Sequence, residues 1–351
     1  MAVSEGGQDP AGKLNLRRQK KLHLTEGDSR ATIDPPLCSI QYQKVLTQSM
    51  GTDKNRVQGM ILVLLASMCW GTTGTLQELA PPGTPPLTVG SARIFISAIL
   101  LLGWCAWRDG GLGFLRRTSI PALLVSVAGL VGFQFSFFTA LKLTGVSVGT
   151  MIAIGASPMF AGALGSFVQR EPLSARWFLS TLVAVLGCTL LVLGGSSGPM
   201  VLEPRGIALA FTAAFCYAFM GLGFKIQGAR LNDTQTIAVA SGAASFIALP
   251  VLLMLDSSWI FSGAGFAVAF SLGFATMALP MSLFSLGLRK IYLRDAYTIS
   301  LAEPLTACVL SALILGERLT PVSMGGAALI LCGILLLPVK EAAKEPAEGT
   351  A

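Results

Sequence analysis

Few side chains in this chain can do chemistry where chemistry would matter. Arg93 and Glu303 are charged groups set well inside long apolar runs. Arg93 stands six residues into its run, about 9 Å of helix from the end. A guanidinium there can hold a substrate carboxylate or phosphate through its planar fork. It can equally pair with Glu78 or Glu303, or reach back to the interface. Glu303 stands eight residues past Asp295, about 12 Å along a helix. A carboxylic acid there can exchange protons, bind a substrate amine, pair with Arg93, or cap backbone freed by Pro304. Pro158 and Pro304 each remove a backbone donor and kink a helix, so both are candidate hinges. Trp70 and Tyr217 offer aromatic walls for a cation or an apolar group. Gln134, flanked by Phe133, Phe135, Phe137 and Phe138, completes the set of candidate cavity-lining residues, with aromatic packing inside a bundle as the plain alternative.

Other chemistries lack their residues. The single histidine is His23, so no histidine triad or proton relay is encoded within the apolar runs. Six of the seven cysteines lie in apolar runs without CxxC or Cys/His spacing, and Cys38 lies near the N-terminus. Neither a zinc site nor a disulfide framework is suggested. Asp is absent from run interiors. The Gly194–Gly198 stretch lacks the P-loop lysine, so no nucleotide motor, metal or cofactor is expected. Gln77 and Glu78 read as interfacial, and Glu171 and Glu317 as helix-start or loop residues rather than site residues.

The elements that must position these residues follow from composition. Of 351 residues, 53% are apolar and only 12% charged, about half the charge of a soluble globular protein. Lipid is the simplest host for that much apolar surface. Ten runs of membrane-crossing length recur, at 59–79, 87–107, 120–141, 146–168, 176–195, 206–226, 234–255, 263–287, 295–316 and 322–338. Residues 1–57 and 339–351 are polar tails. Met50 or Met60 is an alternative start, which N-terminal sequencing or intact mass decides. With both tails in the cytoplasm, fourteen Lys or Arg from residue 50 onward fall on that side and three (Lys142, Arg205 and Arg318) on the other. That asymmetry is the positive-inside pattern. The net charge of +7 forms no continuous face, which argues against nucleic acid.

An internal repeat supports the count. Gly59–Trp70 aligns with Gly206–Tyr217, and Ser157-Pro158, Glu171 and Gly187 align with Glu303-Pro304, Glu317 and Gly333. Five spans per unit, being odd, force the second unit to enter from the opposite side. Inverted repeats of this kind place substrate sites near the midplane between them.

The order Cys69-Trp70-Gly71, Arg93, Glu303-Pro304 and Gly316-Glu317-Arg318-Leu319-Thr320-Pro321 resembles the EamA-type transporters of the drug/metabolite transporter superfamily. The likeness covers residues 58–338, as one unit at 58–195 and a second at 206–338. It implies an all-α, ten-helix protein of the bacterial inner membrane that works by alternating access, usually in export of amino acids, amines, carboxylates, other metabolites or drugs. This chain departs from full symmetry, with Ser157 where the second unit has Glu303, and in its long N-terminal tail. The expected function is therefore a secondary carrier for a small metabolite, with the lipid bilayer and the substrate as partners and a homodimer left open. Multidrug efflux is the second reading. A membrane-embedded enzyme would need Ser/His, paired Asp or metal ligands inside the runs, and a receptor would need large extramembrane parts.

Overall fold

The computed structural model describes residues 53–195, 203–315 and 320–338, and every regular element among them is a helix. The tails up to residue 52 and from residue 339, and the turn holding Glu317 and Arg318, lie outside the described residues. Among the described residues nine helices are long and apolar enough to cross a bilayer: α1 (Asp53–Gln77), α2 (Leu87–Arg108), α3 (Ile120–Gly145), α4 (Val148–Gln169), α5 (Ala175–Gly195), α6 (Pro204–Gln227), α7 (Asp233–Met254), α8 (Gly263–Leu288) and α9 (Leu293–Ile314). A tenth apolar helix, α10, spans Pro321–Leu336. The ten runs of the sequence are thus ten helices in the same order. Boundaries shift by a few residues, and two of the shifts bear on charged residues. Helix α1 starts at Asp53, inside the segment read as tail, and α9 starts at Leu293, which puts Asp295 within the helix.

Local chemistry explains where the helices start and turn. Asn232 and Gln235 form a reciprocal capping box at the start of α7, satisfying two otherwise orphaned donors. Glu203 accepts from the Gly206 N–H at 2.6 Å at the start of α6. Between α3 and α4 the chain is redirected at Gly145, whose φ of +82° is a conformation glycine adopts without a Cβ penalty.

The helices pack with an approximate two-fold relation between the units. Helices α3 and α6 lie side by side, as do their counterparts α8 and α1. Helix α2 pairs with its own counterpart α7, and α5 with α10. Matched glycines mark the close approaches. Gly59 lies against Ile291 while Gly206 lies against Thr144, and Gly187 lies against Ile330 while Gly333 lies against Ala184. Small residues let helix backbones approach in lipid, where no hydrophobic force drives association.

The connections define two ends. Gln227 Oε1 accepts from Ser119 N at 3.1 Å, Gln235 Nε2 donates to Asp109 Oδ2 at 2.7 Å, and Arg289 pairs with Asp233 at 3.5 Å. These contacts gather the α2–α3, α6–α7 and α8–α9 connections at one end, with most of the Lys and Arg residues. It is called the basic end below. At the far end Trp259 Nε1 donates to Thr88 Oγ1 at 3.1 Å, and Thr320 Oγ1 donates to the Gly194 carbonyl at 3.0 Å.

Candidate functional site

The residues singled out by type converge near mid-bundle, but not all on one another. Trp70 of α1 and Tyr217 of α6 meet edge-on, with ring centroids 5.9 Å apart. Phe284 of α8 lies 5.3 Å from Trp70. Tyr297 of α9 lies 4.6 Å from Tyr217 and 5.4 Å from Phe284. Phe133 of α3 reaches Tyr217 at 5.1 Å. Five helices thus contribute one ring each. Such pairs contribute roughly 0.5–1.5 kcal/mol apiece beyond area burial. The Tyr297 hydroxyl donates to the Tyr217 carbonyl, which fixes the ring against α6. Trp70, Tyr217, Phe284 and Tyr297 are buried, so these rings pack as part of the bundle core.

Arg93 finds a partner the sequence did not suggest. Its Nη2 donates to the Thr276 carbonyl of α8 at 3.1 Å. The reason lies four residues further on. Pro280 has no N–H to return to that carbonyl, and the helix runs as a π-turn over Phe274–Ala278. The guanidinium supplies the missing donor. Arg93 is buried, and its Nε has no hydrogen-bond partner among the described residues. No ion pair within 4.0 Å joins it to Glu303 among the described residues, yet the two lie near enough to interact electrostatically. Glu303 is half-buried and also acts at a distance on Tyr217 and Cys188.

Both prolines follow breaks. Helix α4 is interrupted at Ala156, before Ser157 and Pro158, and α9 at Leu301, before Glu303 and Pro304. In the first unit the Ser157 hydroxyl donates to the Ile154 carbonyl at 2.8 Å. That is the carbonyl which the residue at 158, were it not proline, would have bonded.

Gln134 belongs elsewhere. Phe133 and Phe137 stack toward Tyr217, and Gln134 turns instead toward Gly90 of α2. It lines a shallow cleft with Ser91, Ile94, Phe138 and Ile247, between α2, α3 and α7.

A second cluster was invisible to the sequence. Lys225, at the basic end of α6, bonds Glu171 at 2.5 Å and the Ile291 carbonyl at 2.9 Å. Glu171 accepts the Leu293 N–H at 3.0 Å on both oxygens, capping α9. Arg56 of α1 bonds Asp295 at 2.6 Å, and Arg294 approaches the same carboxylate at 3.4 Å. The Tyr292 ring lies beneath all three cations, at 5.3, 5.9 and 4.7 Å. All five charged side chains are at most 7% exposed. In the sequence Arg56, Lys225 and Arg294 read as topology charges, and Glu171 as a helix-start or loop residue. Glu171 is indeed in the α4–α5 connection, but it is buried and bonded.

Residues 57–193 and 204–338 each match the model of the EamA-like transporter family. The uncharacterized transporter YwfM of Bacillus subtilis is 33% identical over 294 residues, 82% of this chain and 96% of that protein. The threonine/homoserine exporter RhtA of Escherichia coli K12 is 27% identical over 266 residues, 76% of this chain and 85% of its own. A solved crystal structure aligns with a TM-score of 0.69 at 17% identity, over 80% of this chain and 97% of that one. At that identity the likeness concerns the fold alone.

Proposed function

The chain belongs to the EamA-like transporter family and crosses the membrane several times, and on that premise we propose that it is a secondary carrier for a small amphipathic metabolite. An amino acid, or a related amine or carboxylate, is the class the site suits. The observation that carries this reading is the pairing, at mid-bundle, of an aromatic cluster (Trp70, Tyr217, Phe284) with one cation and one carboxylate, Arg93 and Glu303. Rings accept the apolar part of such a substrate, and opposite charges on facing helices suit its ends. The site lies between two inverted units, the arrangement in which secondary carriers alternate access. Export from the cytoplasm of a bacterium, with the basic end inward, accords with the Lys and Arg distribution and with an exporter among the relatives.

Arg93 enters this reading in a double role. Its Nη2 holds the α8 carbonyl, and its buried Nε remains to meet an anionic group. Glu303 is the coupling residue, taking up a proton when substrate leaves. The test is counterflow in proteoliposomes with a panel of labelled amino acids, amines and carboxylates. A carrier shows saturable uptake that preloaded unlabelled substrate accelerates. Flux without saturation or acceleration would indicate a channel and end the proposal.

A further inference from the structure

The midplane site explains why α6 and α9 carry aromatic and acidic groups, but not why five charged side chains are buried at the basic end. Burying a charge costs heavily unless it is paired and hydrogen-bonded, so their presence asks for a role. Both ion pairs join one unit to the other. Arg56 and Glu171 belong to the first, and Asp295 and Lys225 to the second. They meet where the two units close. Above them the packing is tight: from Leu293 to Ala302 every residue of α9 is buried. Beyond Glu303 the same helix becomes half-buried or exposed at nearly every position. Helix α6 behaves alike, with its basic-end stretch from Tyr217 to Gln227 almost wholly buried.

The repeat supplies a control. At the offsets that align Gly59 with Gly206 and, one residue shorter, Ser157 with Glu303, the positions matched to Arg56 and Lys225 are Glu203 and Glu78. Those matched to Asp295, Arg294 and Glu171 are Gly149, Val148 and Glu317. In sequence these positions thus hold three carboxylates and no cation, and so cannot form the same pairs.

We infer that the Arg56–Asp295 and Lys225–Glu171 pairs, gathered on Tyr292, are a one-sided gate that holds the basic end shut and must separate for the midplane site to open there. The gate acts on the carrier proposed above and so rests on that reading. Glu171 is its hinge point, because one carboxylate both pairs with Lys225 and caps the first turn of α9. Loss of the pair would free that turn to move.

The test uses the full chain with its seven cysteines replaced and a single reporter, Ser300→Cys, buried between the gate and Glu303. A membrane-impermeant maleimide is added to one face at a time, in vesicles of both orientations. With the gate intact, labelling from the basic face is slow. Arg56→Gln and Lys225→Gln each raise that rate at least tenfold and lower the rate from the far face. The charge swap Arg56→Asp with Asp295→Arg returns it to within threefold of the intact protein. Unchanged basic-face labelling in both single variants overturns the gate. So does an equal rise from both faces, which would mean general loosening, or a swap that labels as fast as Arg56→Gln. Should the single variants not fold, Arg56→Cys with Asp295→Cys is joined by oxidation in their place. That cross-link must abolish basic-face labelling of the reporter while the far face stays reactive, and labelling that persists from the basic face overturns the gate equally. No substrate is required, so a gate that does not open and a carrier that does not transport give different results.

Discussion

The two ends of this bundle descend from one repeated unit, yet they are closed by different means. The basic end is held by buried ion pairs between the units, 2.5–2.6 Å long and almost fully shielded. The far end is held by neutral contacts, such as Trp259 on Thr88 and Thr320 on Gly194. A buried pair is costly to assemble and costly to break singly, whereas neutral hydrogen bonds contribute about 1 kcal/mol each. The difference teaches that an inverted duplication supplies symmetric scaffolding but need not supply symmetric gates. Substitution at matched positions can make one conformation the resting state.

The largest effect should come from breaking one buried pair. Lys225→Met leaves the buried Glu171 carboxyl without its cation, and should cost about 3–5 kcal/mol in unfolding measured in detergent. Adding Glu171→Gln should recover most of that loss, because removing both partners of a buried pair is often near neutral. At Glu203, the far-end position matched to Arg56, the effect should be smaller. Glu203→Ala removes the acceptor of the Gly206 N–H and should cost about 1 kcal/mol, the usual value of an N-cap, with no change in basic-face accessibility. If the two substitutions cost the same, the ends do not differ as described.

A third substitution concerns the midplane between them. Arg93→Lys keeps the charge but not the fork. It should weaken carboxylate binding by about tenfold, corresponding to about 1.4 kcal/mol, while Arg93→Ala should also lower folded yield by leaving the Thr276 carbonyl without its donor. Full affinity in a well-folded Arg93→Ala protein would remove the arginine from the site. Glu303→Gln should abolish the response of transport to a proton gradient while leaving substrate exchange measurable by counterflow. Smallest of all is Asp109, at the basic end but exposed. The Gln235 amide, and then Arg108, hold its carboxyl below the usual range. A depressed folded-state value stabilises above the unfolded one and is lost as pH falls through it, so any contribution vanishes only in acid. Asp109→Asn at neutral pH should leave the melting temperature unchanged within error.

Much of this architecture can be read from the chain. Apolar length alone places the helices, because a bilayer admits little besides spans that satisfy their own backbone. Trp70 and Tyr217 could be paired through the repeat, and their rings do meet. The partner of Arg93 was beyond reach, since the acceptor is a main-chain carbonyl exposed by Pro280, and carbonyls leave no mark in a sequence. Pro280 itself was the available signal. Gln134 looked like a member of the aromatic group because it sits among four phenylalanines, but helical geometry turns it about 100° from Phe133 and sends it to α2. The basic-end cluster was hidden for another reason. Lys225, Arg294 and Arg56 have the spacing of charges that anchor helix ends in water, and only the folding of three connections onto one another buries them.

The most direct test of alternation between the two ends is a pair of distances measured by pulsed electron resonance. Spin labels at Leu112 and Leu173 span the basic end, and labels at Leu79 and Phe261 span the far end; all four residues are exposed. In the intact protein the basic-end distance should be narrowly distributed. Lys225→Gln should lengthen it while the far-end distance shortens. Two distances that both stay fixed, or that lengthen together, would contradict alternation between the ends.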